Sequence, residues 1–318
     1  MTEVFSHILS LKRGTTKYGP APHKPVLLLA VIKGFEEGDI YTPKIEITDE
    51  LIQSFYNTWY ALVKNDLRPR FYYPFFHLQK AKGHFWQLVP YPGKKIPKNR
   101  NHSINSFREL NDNIWHTRLS DELYKILMYP VQREKLKQAM LETYFGIKSS
   151  HIPASDYTQE VASQMLYDPE VNYARKVKRQ IEEQHTDARE EYVVLRSSVF
   201  RKAIIRIYDY QCAVTGLRVR DRHNRPLLEA CHIVPFAESC NDSVRNGIAL
   251  SPTFHRAFDK GLIGISDDYR VVLHPELRDE SRDFSLARYA GKTIMLPQNR
   301  DFHPSRQRFR AHRQRFGM

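Results

Sequence analysis

The chain has 318 residues, a mass of 37.5 kDa and a formal net charge of +13, with a pI near 9.5. This length suits two domains of ordinary size. A hydrophobic fraction of 41% beside 27% charged residues is typical of a globular protein and excludes a disordered or fibrous chain. Apolar runs stay well below the roughly 18 residues of a membrane span, and the N-terminus lacks the apolar core of a signal peptide. We therefore expect an unprocessed cytoplasmic protein that makes no use of a membrane.

The positive charge is concentrated in two segments. Residues 64–108 contain ten Lys and Arg, nine aromatic residues and a single acid. Residues 300–318 contain six Arg and a single acid. Since the rest of the chain is nearly balanced, these segments indicate two surfaces that bind a polyanion.

Several helices are predicted in the N-terminal part. The apolar run 26–35 predicts a buried helix, and apolar residues at helical spacing over 47–63 predict a second helix with Thr48 as its N-cap. Over 71–90, aromatic residues flank a Lys-Gly turn, which predicts two strands or a strand and a loop. Residues 119–145 predict two further helices with a proline between them.

The composition changes over 149–192. Residues 170–189 carry many charges of both signs, which is typical of a solvated helix. We therefore expect a charged connector over 149–192, between an N-terminal domain at 1–148 and a C-terminal domain at 193–318. Helices and short strands in both domains predict an α+β fold.

The C-terminal domain opens with apolar residues at helical spacing over 199–216. The apolar run 227–236 predicts a strand, 246–266 a loop, a helix, a turn and a strand in that order, and 270–273 one more strand.

The cysteine pattern excludes two kinds of structure. Cys212, Cys231 and Cys240 form no CxxC pair, which argues against a disulfide framework and against a four-cysteine zinc site. Cys212 could be a metal ligand or a redox switch, but a small buried residue is the better interpretation.

Four side chains between 231 and 259 have the spacing of a hydrolytic site. His232 ends the predicted strand, and Asn246 follows in the loop. His255 and Asp259 are four residues apart on the predicted helix, so they share one face. A His and a carboxylate suit Mg²⁺ or Mn²⁺ as readily as Zn²⁺, and phosphodiester hydrolysis needs a base together with such a cation. His232 is the candidate base because histidine titrates near neutrality.

A structural interpretation of each residue stays open at this point. A histidine after an apolar strand is often structural, Asn-Gly is usually a turn, and a His and an Asp one helical turn apart can form a surface pair. The order and spacing of the four residues together favour catalysis.

Three segments carry a resemblance to a known family, namely CAVTG at 212–216, LLEACHIVPF at 227–236 and NGIALSPTFHRAFDKGLIGI at 246–265. Over about 212–265 the chain resembles the HNH endonucleases, a family with the ββα-metal fold, in the subgroup without zinc-binding cysteine pairs.

The resemblance implies a role for each of the four residues. His232 would be the general base that activates water, Asn246 would brace the loop, and His255 would be the main ligand of one divalent metal, Mg²⁺ or Mn²⁺. Asp259 lies where related enzymes can have a further ligand. The family commonly has Asp or His before the base, whereas this chain has Cys231. Because a thiol is a poor ligand for Mg²⁺, we expect a structural role for Cys231, and the full ligand set stays open.

The N-terminal domain carries a second resemblance, in PAPHKPVLLLAVI at 20–32 and YYPFFHLQ at 72–79. Over about 1–148 it resembles the sulfur-binding domain of phosphorothioate-dependent type IV restriction enzymes. The resemblance implies a site for DNA in which sulfur replaces one non-bridging phosphate oxygen. The residues expected at that site are His23, Lys24, Arg70, Tyr73, Pro74 and His77.

The chemistry of these side chains agrees with that expectation. Sulfur is larger, softer and less hydrated than oxygen, so a shallow apolar dent favours it, and Tyr73 and Pro74 offer ring faces for such a dent. His23, Lys24 and Arg70 offer hydrogen bonds or positive charge to the phosphate. A structural role stays open for Pro74, which could simply shape a turn.

Together these observations predict a modification-dependent endonuclease that binds phosphorothioated double-stranded DNA and cuts nearby, with the tail at 300–318 as a clamp on the DNA backbone. Two alternatives remain at this point. One is an HNH nuclease that recognises another mark, such as a modified cytosine held in an aromatic pocket. The other is a non-catalytic DNA-binding protein with a degenerate HNH domain. One HNH site cuts both strands through two molecules or two successive nicks, so a homodimer is open as well.

Overall fold

The computed structural model of the chain describes residues 3–96, 104, 106–149, 152, 155, 157–184, 186–222, 225–280 and 285–318. It divides into two compact units. Unit 1 comprises Met1–Gln159 and Glu182–Leu195, and unit 2 comprises Glu160–Ile181 and Arg196–Met318. The domain bounds at 148 and 193 stay a prediction, and the expected connector contributes residues to both units.

The chain is an α+β protein with many helices and small sheets. The helices are α1 (Glu3–Leu9), α2 (His23–Glu37), α3 (Asp49–Leu62), α4 (Tyr72–His77), α5 (Phe107–Asn113), α6 (Asp121–Met128), α7 (Pro130–Phe145), α8 (Tyr157–Tyr167), α9 (Glu170–Glu182), α10 (Thr186–Ile207), α11 (Phe236–Ser239), α12 (Pro252–Asp259) and α13 (Arg306–Arg315). The strands are β1 (Thr15–Thr16), β2 (Gly19–Pro20), β3 (Lys44–Glu46), β4 (Trp86–Pro90), β5 (Ile114–Leu119), β6 (Glu229–His232), β7 (Gly247–Leu250), β8 (Ile263–Ile265) and β9 (Val271–Leu273). Among the described residues, no helix is both long and apolar enough to cross a membrane.

Helices α2 and α3, both predicted from the sequence, pack against each other in the core of unit 1. The run from Val26 to Ile32 in α2 is buried throughout, and α2 ends at Gly38, whose φ of 80° is the left-handed conformation that glycine adopts without strain. Thr48 caps α3 by accepting a hydrogen bond from the Leu51 amide. The antiparallel sheet has the strand order β3-β5-β4.

The segment after residue 71 corrects a prediction. Its aromatic residues favour strands, but 72–77 forms the helix α4, and only β4 is extended. The amides of Phe71 and Tyr72 donate to the Glu191 carboxyl group at 2.6 and 3.4 Å, and Pro74 fits in the first turn because it needs no amide partner there. Since Glu191 lies 120 residues away in the sequence, no local pattern reveals this cap.

Unit 2 contains two small antiparallel ribbons, β6-β7 and β8-β9, and the helices α12 and α13. The predicted strand within 227–236 and the predicted helix within 246–266 are present as β6 and α12. The loop predicted at 247–250 is wrong, because these residues form β7, which pairs with β6 and is buried along its whole length.

Candidate functional site

Two paired strands and one helix position the candidate catalytic residues. His232 is the last residue of β6 and lies opposite Gly247, the first residue of β7. Helix α12 follows β7 directly, with Pro252 in its first turn, and carries His255 and Asp259 one turn apart. The strand–strand–helix order therefore brings three of the four predicted residues, His232, His255 and Asp259, to one cleft.

His232 is held by aromatic packing. Its imidazole stacks on Phe200 with ring centroids 3.9 Å apart and planes 8° apart, and Phe236 lies at 5.8 Å. Burial lowers the pKa of His232 from 6.5 to about 4, so the ring is unprotonated at neutral pH. Its Nε2 atom is buried and has no hydrogen-bond partner among the residues that the structure describes. A neutral imidazole carries its hydrogen on one ring nitrogen and can accept a proton on the other.

Asn246 fixes the backbone that follows His232. Its side-chain oxygen accepts from the Val234 amide at 3.0 Å, and its side-chain nitrogen donates to the carbonyls of Val234 at 2.9 Å and Asn241 at 2.8 Å. Its own carbonyl accepts from the Ile233 amide at 2.9 Å. Because Asn246 is fully buried, these four hydrogen bonds hold the loop after β6 in one conformation.

A buried ion pair also holds the loop that follows β6. The Arg196 guanidinium donates to both oxygens of Asp242, at 2.8 and 3.0 Å, and the Tyr173 hydroxyl donates to Asp242 at 2.7 Å. Arg196 and Asp242 are almost completely buried. Burial raises the pKa of Tyr173 above its ordinary value, so the hydroxyl keeps its proton.

His255 lies between two carboxylates. Its Nδ1 donates to Glu229 at 2.6 Å, and its Nε2 lies 3.3 Å from the nearer Asp259 oxygen. A carboxylate that accepts the proton of one imidazole nitrogen orients the other nitrogen towards a metal. Sequence reasoning missed Glu229, although it is the only acid in the run 227–236.

These donors fit a divalent cation. With the Nδ1 proton held by Glu229, Nε2 of His255 and an oxygen of Asp259 are two electron-rich atoms 3.3 Å apart. That separation is close to the roughly 3 Å expected between neighbouring ligands of an octahedral Mg²⁺ ion. The side chains of Glu229 and Asp259 are about half exposed, at 46% and 57%, so an ion can reach them.

Cys231 is the third residue of this group. One ligand atom each from Cys231, His255 and Asp259 lie within 4.8 Å of one another, and the thiol is 3.6 Å from an Asp259 oxygen. Burial, reinforced by Asp259, raises the pKa of the thiol well above its ordinary value. The residue is therefore a protonated, buried thiol, which is a weak metal ligand. Cys212 is buried too, with its thiol 3.9 Å from the Ser251 hydroxyl.

The site opens into a cleft of about 510 Å³. His232, His255 and Asp259 line it, together with His312 and Arg315 of the C-terminal tail. His312 stacks on Phe258 of α12 at 3.7 Å, which places the tail at the edge of the cleft.

The residues predicted to bind DNA come together in unit 1. His23 starts α2, and Tyr73 and His77 lie one turn apart on α4. The Tyr73 ring is 4.3 Å from His77 and 6.5 Å from His23. We name these three rings, with Lys24 and Arg70, the aromatic–basic cluster.

The charges of this cluster are partly suppressed. Burial lowers the pKa of His23 and of His77 to about 4, and Arg70 and Lys80 add to the effect at the respective ring. Both imidazoles are therefore neutral at pH 7. Burial and the neighbouring lysines also lower the pKa of Lys24, whose ammonium group donates to the Lys12 carbonyl at 2.9 Å.

Pro74 is buried in α4, whereas Tyr73 is 43% exposed. Neighbouring residues of a helix point about 100° apart, so the two rings face different directions. The place of Pro74 in the dent stays a prediction. The exposed ring of the cluster is Tyr73.

The strand–strand–helix site belongs to a known class. Residues 212–266 match the family model described as HNH endonuclease. Unit 2 therefore carries an HNH endonuclease domain, and this nuclease domain contains His232, Asn246, His255 and Asp259. The predicted HNH resemblance is confirmed, while the roles of the individual residues stay predictions.

Solved structures give remote matches to the chain. One is the modification-dependent TagI restriction endonuclease, with 21% identity, coverage of 36% of each chain and a TM-score of 0.30. The sulfur-binding and SRA domains of ScoMcrA complexed with phosphorothioated DNA give 16% identity, coverage of 44% of this chain and 42% of that one, and a TM-score of 0.34. The type IV phosphorothioation-dependent restriction endonuclease ScoMcrA gives 10% identity, 81% and 94% coverage, and a TM-score of 0.34.

The chain thus spans less than half the length of the first two matched chains, 36% and 42% respectively. No curated protein gives a significant match.

Proposed function

We propose that the chain is a modification-dependent endonuclease that binds phosphorothioated duplex DNA through unit 1 and hydrolyses a phosphodiester bond through its HNH domain. The observation that supports hydrolysis most directly is the convergence of unprotonated His232 with the His255–Asp259 pair on one cleft. A base and a cation site side by side are what phosphodiester hydrolysis needs.

The base acts on water. His232 accepts one proton from a water molecule while the water oxygen forms a bond to phosphorus, and the bond from phosphorus to the leaving oxygen breaks. Burial keeps the ring unprotonated, and stacking on Phe200 keeps it in one orientation. Asn246 acts as a positioning residue, since its hydrogen bonds hold the loop that starts immediately after His232.

A divalent cation, Mg²⁺ or Mn²⁺, would be held by His255 and Asp259 and would stabilise negative charge on the phosphate and leaving oxygens. Glu229 orients His255 by accepting its Nδ1 proton at 2.6 Å. Burial raises the pKa of the Cys231 thiol, which makes it the weakest of the three candidate ligands for such a cation.

The aromatic–basic cluster has the chemistry of a phosphorothioate site. Sulfur prefers a weakly polar contact, which the exposed Tyr73 ring and the neutral rings of His23 and His77 provide. The phosphorothioate group still carries a negative charge, which Lys24 and Arg70 would neutralise. A site of this kind accepts sulfur at lower desolvation cost than oxygen, because oxygen gives up stronger hydration.

The catalytic part of the proposal is tested with His232→Ala. We expect cleavage of phosphorothioated plasmid in Mg²⁺ or Mn²⁺ to fall by roughly 10²- to 10⁴-fold, the usual contribution of a general base. Duplex binding should remain. The matched control is His303→Ala, which removes another histidine of unit 2. The described contacts of His303 are a hydrogen bond with the Pro297 carbonyl and ring packing on Tyr269. Normal cleavage by His232→Ala would show that another group activates the water.

The recognition part is tested by gel shift with the uncleaving His232→Ala chain. Duplexes with phosphorothioate, methylated cytosine or no modification are compared at one salt concentration, since phosphate contacts depend on salt. We expect the tightest binding to phosphorothioate, and loss of that preference with Tyr73→Ala but not with Tyr129→Ala, which removes another exposed tyrosine of unit 1. Equal affinity for all three duplexes would contradict sulfur recognition, and a preference for methylcytosine would support the base-reading alternative.

A further inference from the structure

A second aromatic surface lies in unit 1, at the end of its sheet. Tyr91, directly after β4, and Trp115, on β5, lie with ring centroids 6.3 Å apart and planes only 18° apart. Tyr91 is 38% exposed and Trp115 is 44% exposed. Buried tryptophans are the rule in this unit, because Trp59 and Trp86 are each 1% exposed. None of these residues belongs to the aromatic–basic cluster.

The backbone places Trp115 on the surface by an irregularity in the sheet. The pairing of β4 with β5 runs from Val89 opposite His116 to Pro90 opposite Ile114, so Trp115 is the extra residue. A bulge of this kind turns a side chain away from its regular alternation and is a typical feature of binding sites. The Tyr91 side of the pair is fixed as well, since its amide donates to the Asn113 carbonyl at 3.0 Å.

The aromatic pair borders a small polar pocket. It measures about 140 Å³ and is lined by Tyr91, Trp115, Glu46, Asn111 and two isoleucines. This is well below the ~300 Å³ of the smallest pockets for drug-sized ligands, so the pocket fits one planar ring system. Glu46 offers hydrogen-bond acceptors, and Asn111 offers both donor and acceptor groups to the edge of such a ring.

Basic residues lie near one side of the pocket. The Lys44 ammonium group lies 5.8 Å from the Trp115 ring centroid, and Arg118 is paired directly opposite Lys44 across the sheet. Lys94 and Lys95 follow Tyr91 in an exposed turn, in which the Lys94 amide donates to the Tyr91 carbonyl. A ring platform with a polar edge and flanking cations matches a nucleobase with its phosphates.

We propose that Tyr91 and Trp115 form a second nucleic-acid site, which stacks one unpaired nucleobase of DNA. The base must be outside the helix, because both faces of a paired base are covered by its neighbours in the duplex. Glu46 and Asn111 contact its polar edge, and Lys44 contacts the adjoining phosphate. This site is separate from sulfur recognition and needs no modified phosphate.

The test measures tryptophan fluorescence of the full chain, without divalent cation, during titration with three unmodified duplexes. One has a single extrahelical cytidine, one has an abasic residue at that position, and one is fully paired. Because Trp115 is the exposed tryptophan, we expect quenching by the duplex with the extrahelical base. We also expect that duplex to bind at least about fivefold more tightly than the abasic one, the lower limit of base stacking on an aromatic ring.

Variants separate stacking from a general effect on folding. Trp115→Ala should reduce the ratio of the two affinities to about one in a binding assay that uses labelled DNA, Trp115→Phe should retain part of it, and Tyr129→Ala should leave it unchanged. Equal affinity for the base-bearing and abasic duplexes in the unaltered chain would overturn the proposal. So would an unchanged ratio in a folded Trp115→Ala. The use of unmodified DNA keeps this outcome independent of phosphorothioate recognition.

Discussion

Glu191 connects the buried core of unit 1 with the helix that carries Tyr73, and its replacement by Gln gives a prediction with a definite sign. One carboxyl oxygen accepts from the Phe71 amide at 2.6 Å and from the Tyr56 hydroxyl at 3.0 Å. The other faces the Tyr72 amide at 3.4 Å. In Glu191→Gln the amide oxygen keeps the first two hydrogen bonds, and the Tyr72 amide loses its acceptor. That loss costs about 1 kcal/mol at any pH.

The ionisation of Glu191 makes the difference in stability between the two proteins depend on pH. Burial, which outweighs the favourable hydrogen bonds, raises the pKa of Glu191 from 4.5 to about 7. The folded unit therefore holds one more proton than the unfolded chain between these values. Stability from this group is complete below pH 4.5 and is lost as the pH rises through 7. The difference between the two pKa values corresponds to about 3 kcal/mol. We therefore expect the unaltered chain to be more stable than Glu191→Gln by about 1 kcal/mol at pH 4.5 and less stable by about 2 kcal/mol at pH 8.

The assay is urea unfolding followed by tryptophan fluorescence at several pH values. All three tryptophans, Trp59, Trp86 and Trp115, belong to unit 1, so the signal reports unfolding of that unit alone. Histidines with lowered pKa values in unit 1 titrate in both proteins, so their effect cancels in the comparison. Glu190→Gln, which alters the neighbouring and partly exposed carboxylate, is the matched control and should show no crossover.

A constant difference in stability between the unaltered chain and Glu191→Gln from pH 4.5 to 8 would refute the reasoning. It would mean that the three hydrogen bonds keep the carboxylate ionised throughout, and that burial does not dominate its titration. A crossover shared by Glu190→Gln would refute it too, because the effect would then come from the charge of helix α10 rather than from the buried group.

Two further substitutions test the HNH domain. Cys231→Ser should leave cleavage in Mg²⁺ or Mn²⁺ unchanged and should destabilise the fold by about 1 kcal/mol, because the thiol is buried and protonated. Loss of metal-supported cleavage would instead identify Cys231 as a ligand. Gly247→Ala should lower the free energy of unfolding by about 1–3 kcal/mol, measured by thermal unfolding, because the new Cβ meets Ile204 and lies 2.7 Å from the Phe200 ring. Since that ring stacks on His232, the substitution should also slow cleavage, with little effect on DNA binding. Full cleavage by a stable Gly247→Ala would show that this stacking does not position His232.

The elements that the sequence predicts correctly are those with local signals. Helix α2 ends at a glycine with positive φ, and helix α3 begins after Thr48, which accepts a hydrogen bond from the amide three residues on. The end of α2 and the start of α3 therefore both follow from nearby residues. The HNH motif likewise keeps its residues within about 50 positions, and its order alone reveals the class. By contrast, α4 depends on Glu191, which is distant in the sequence, and its aromatic composition points to strands.

The site shows the same limit. His232 and His255 are visible as residues of a catalytic type at a suitable spacing. Glu229 is not, because its role comes from β6 running beside α12, which brings its carboxylate to Nδ1 of His255. The face on which a side chain emerges is also hidden until the element type is known, as the burial of Pro74 beside exposed Tyr73 demonstrates.

The two basic segments look alike in the sequence but differ in the fold. In the tail, Arg308 pairs with Glu170 at 3.2 Å, and Arg315 pairs with Glu238 at 2.9 Å. Arg310 and Arg313 both pair with Asp267. Acids from elsewhere in unit 2 thus neutralise charge that a count over 300–318 assigns to DNA. The predicted clamp therefore depends on Arg300 and Arg306, which have no partner among the described ion pairs, and on Arg315, which lines the catalytic cleft, where a phosphate competes with an exposed carboxylate. The exposed Lys94 and Lys95 beside Tyr91 have no acidic partner among the described ion pairs. The salt dependence of DNA binding should therefore come mainly from unit 1.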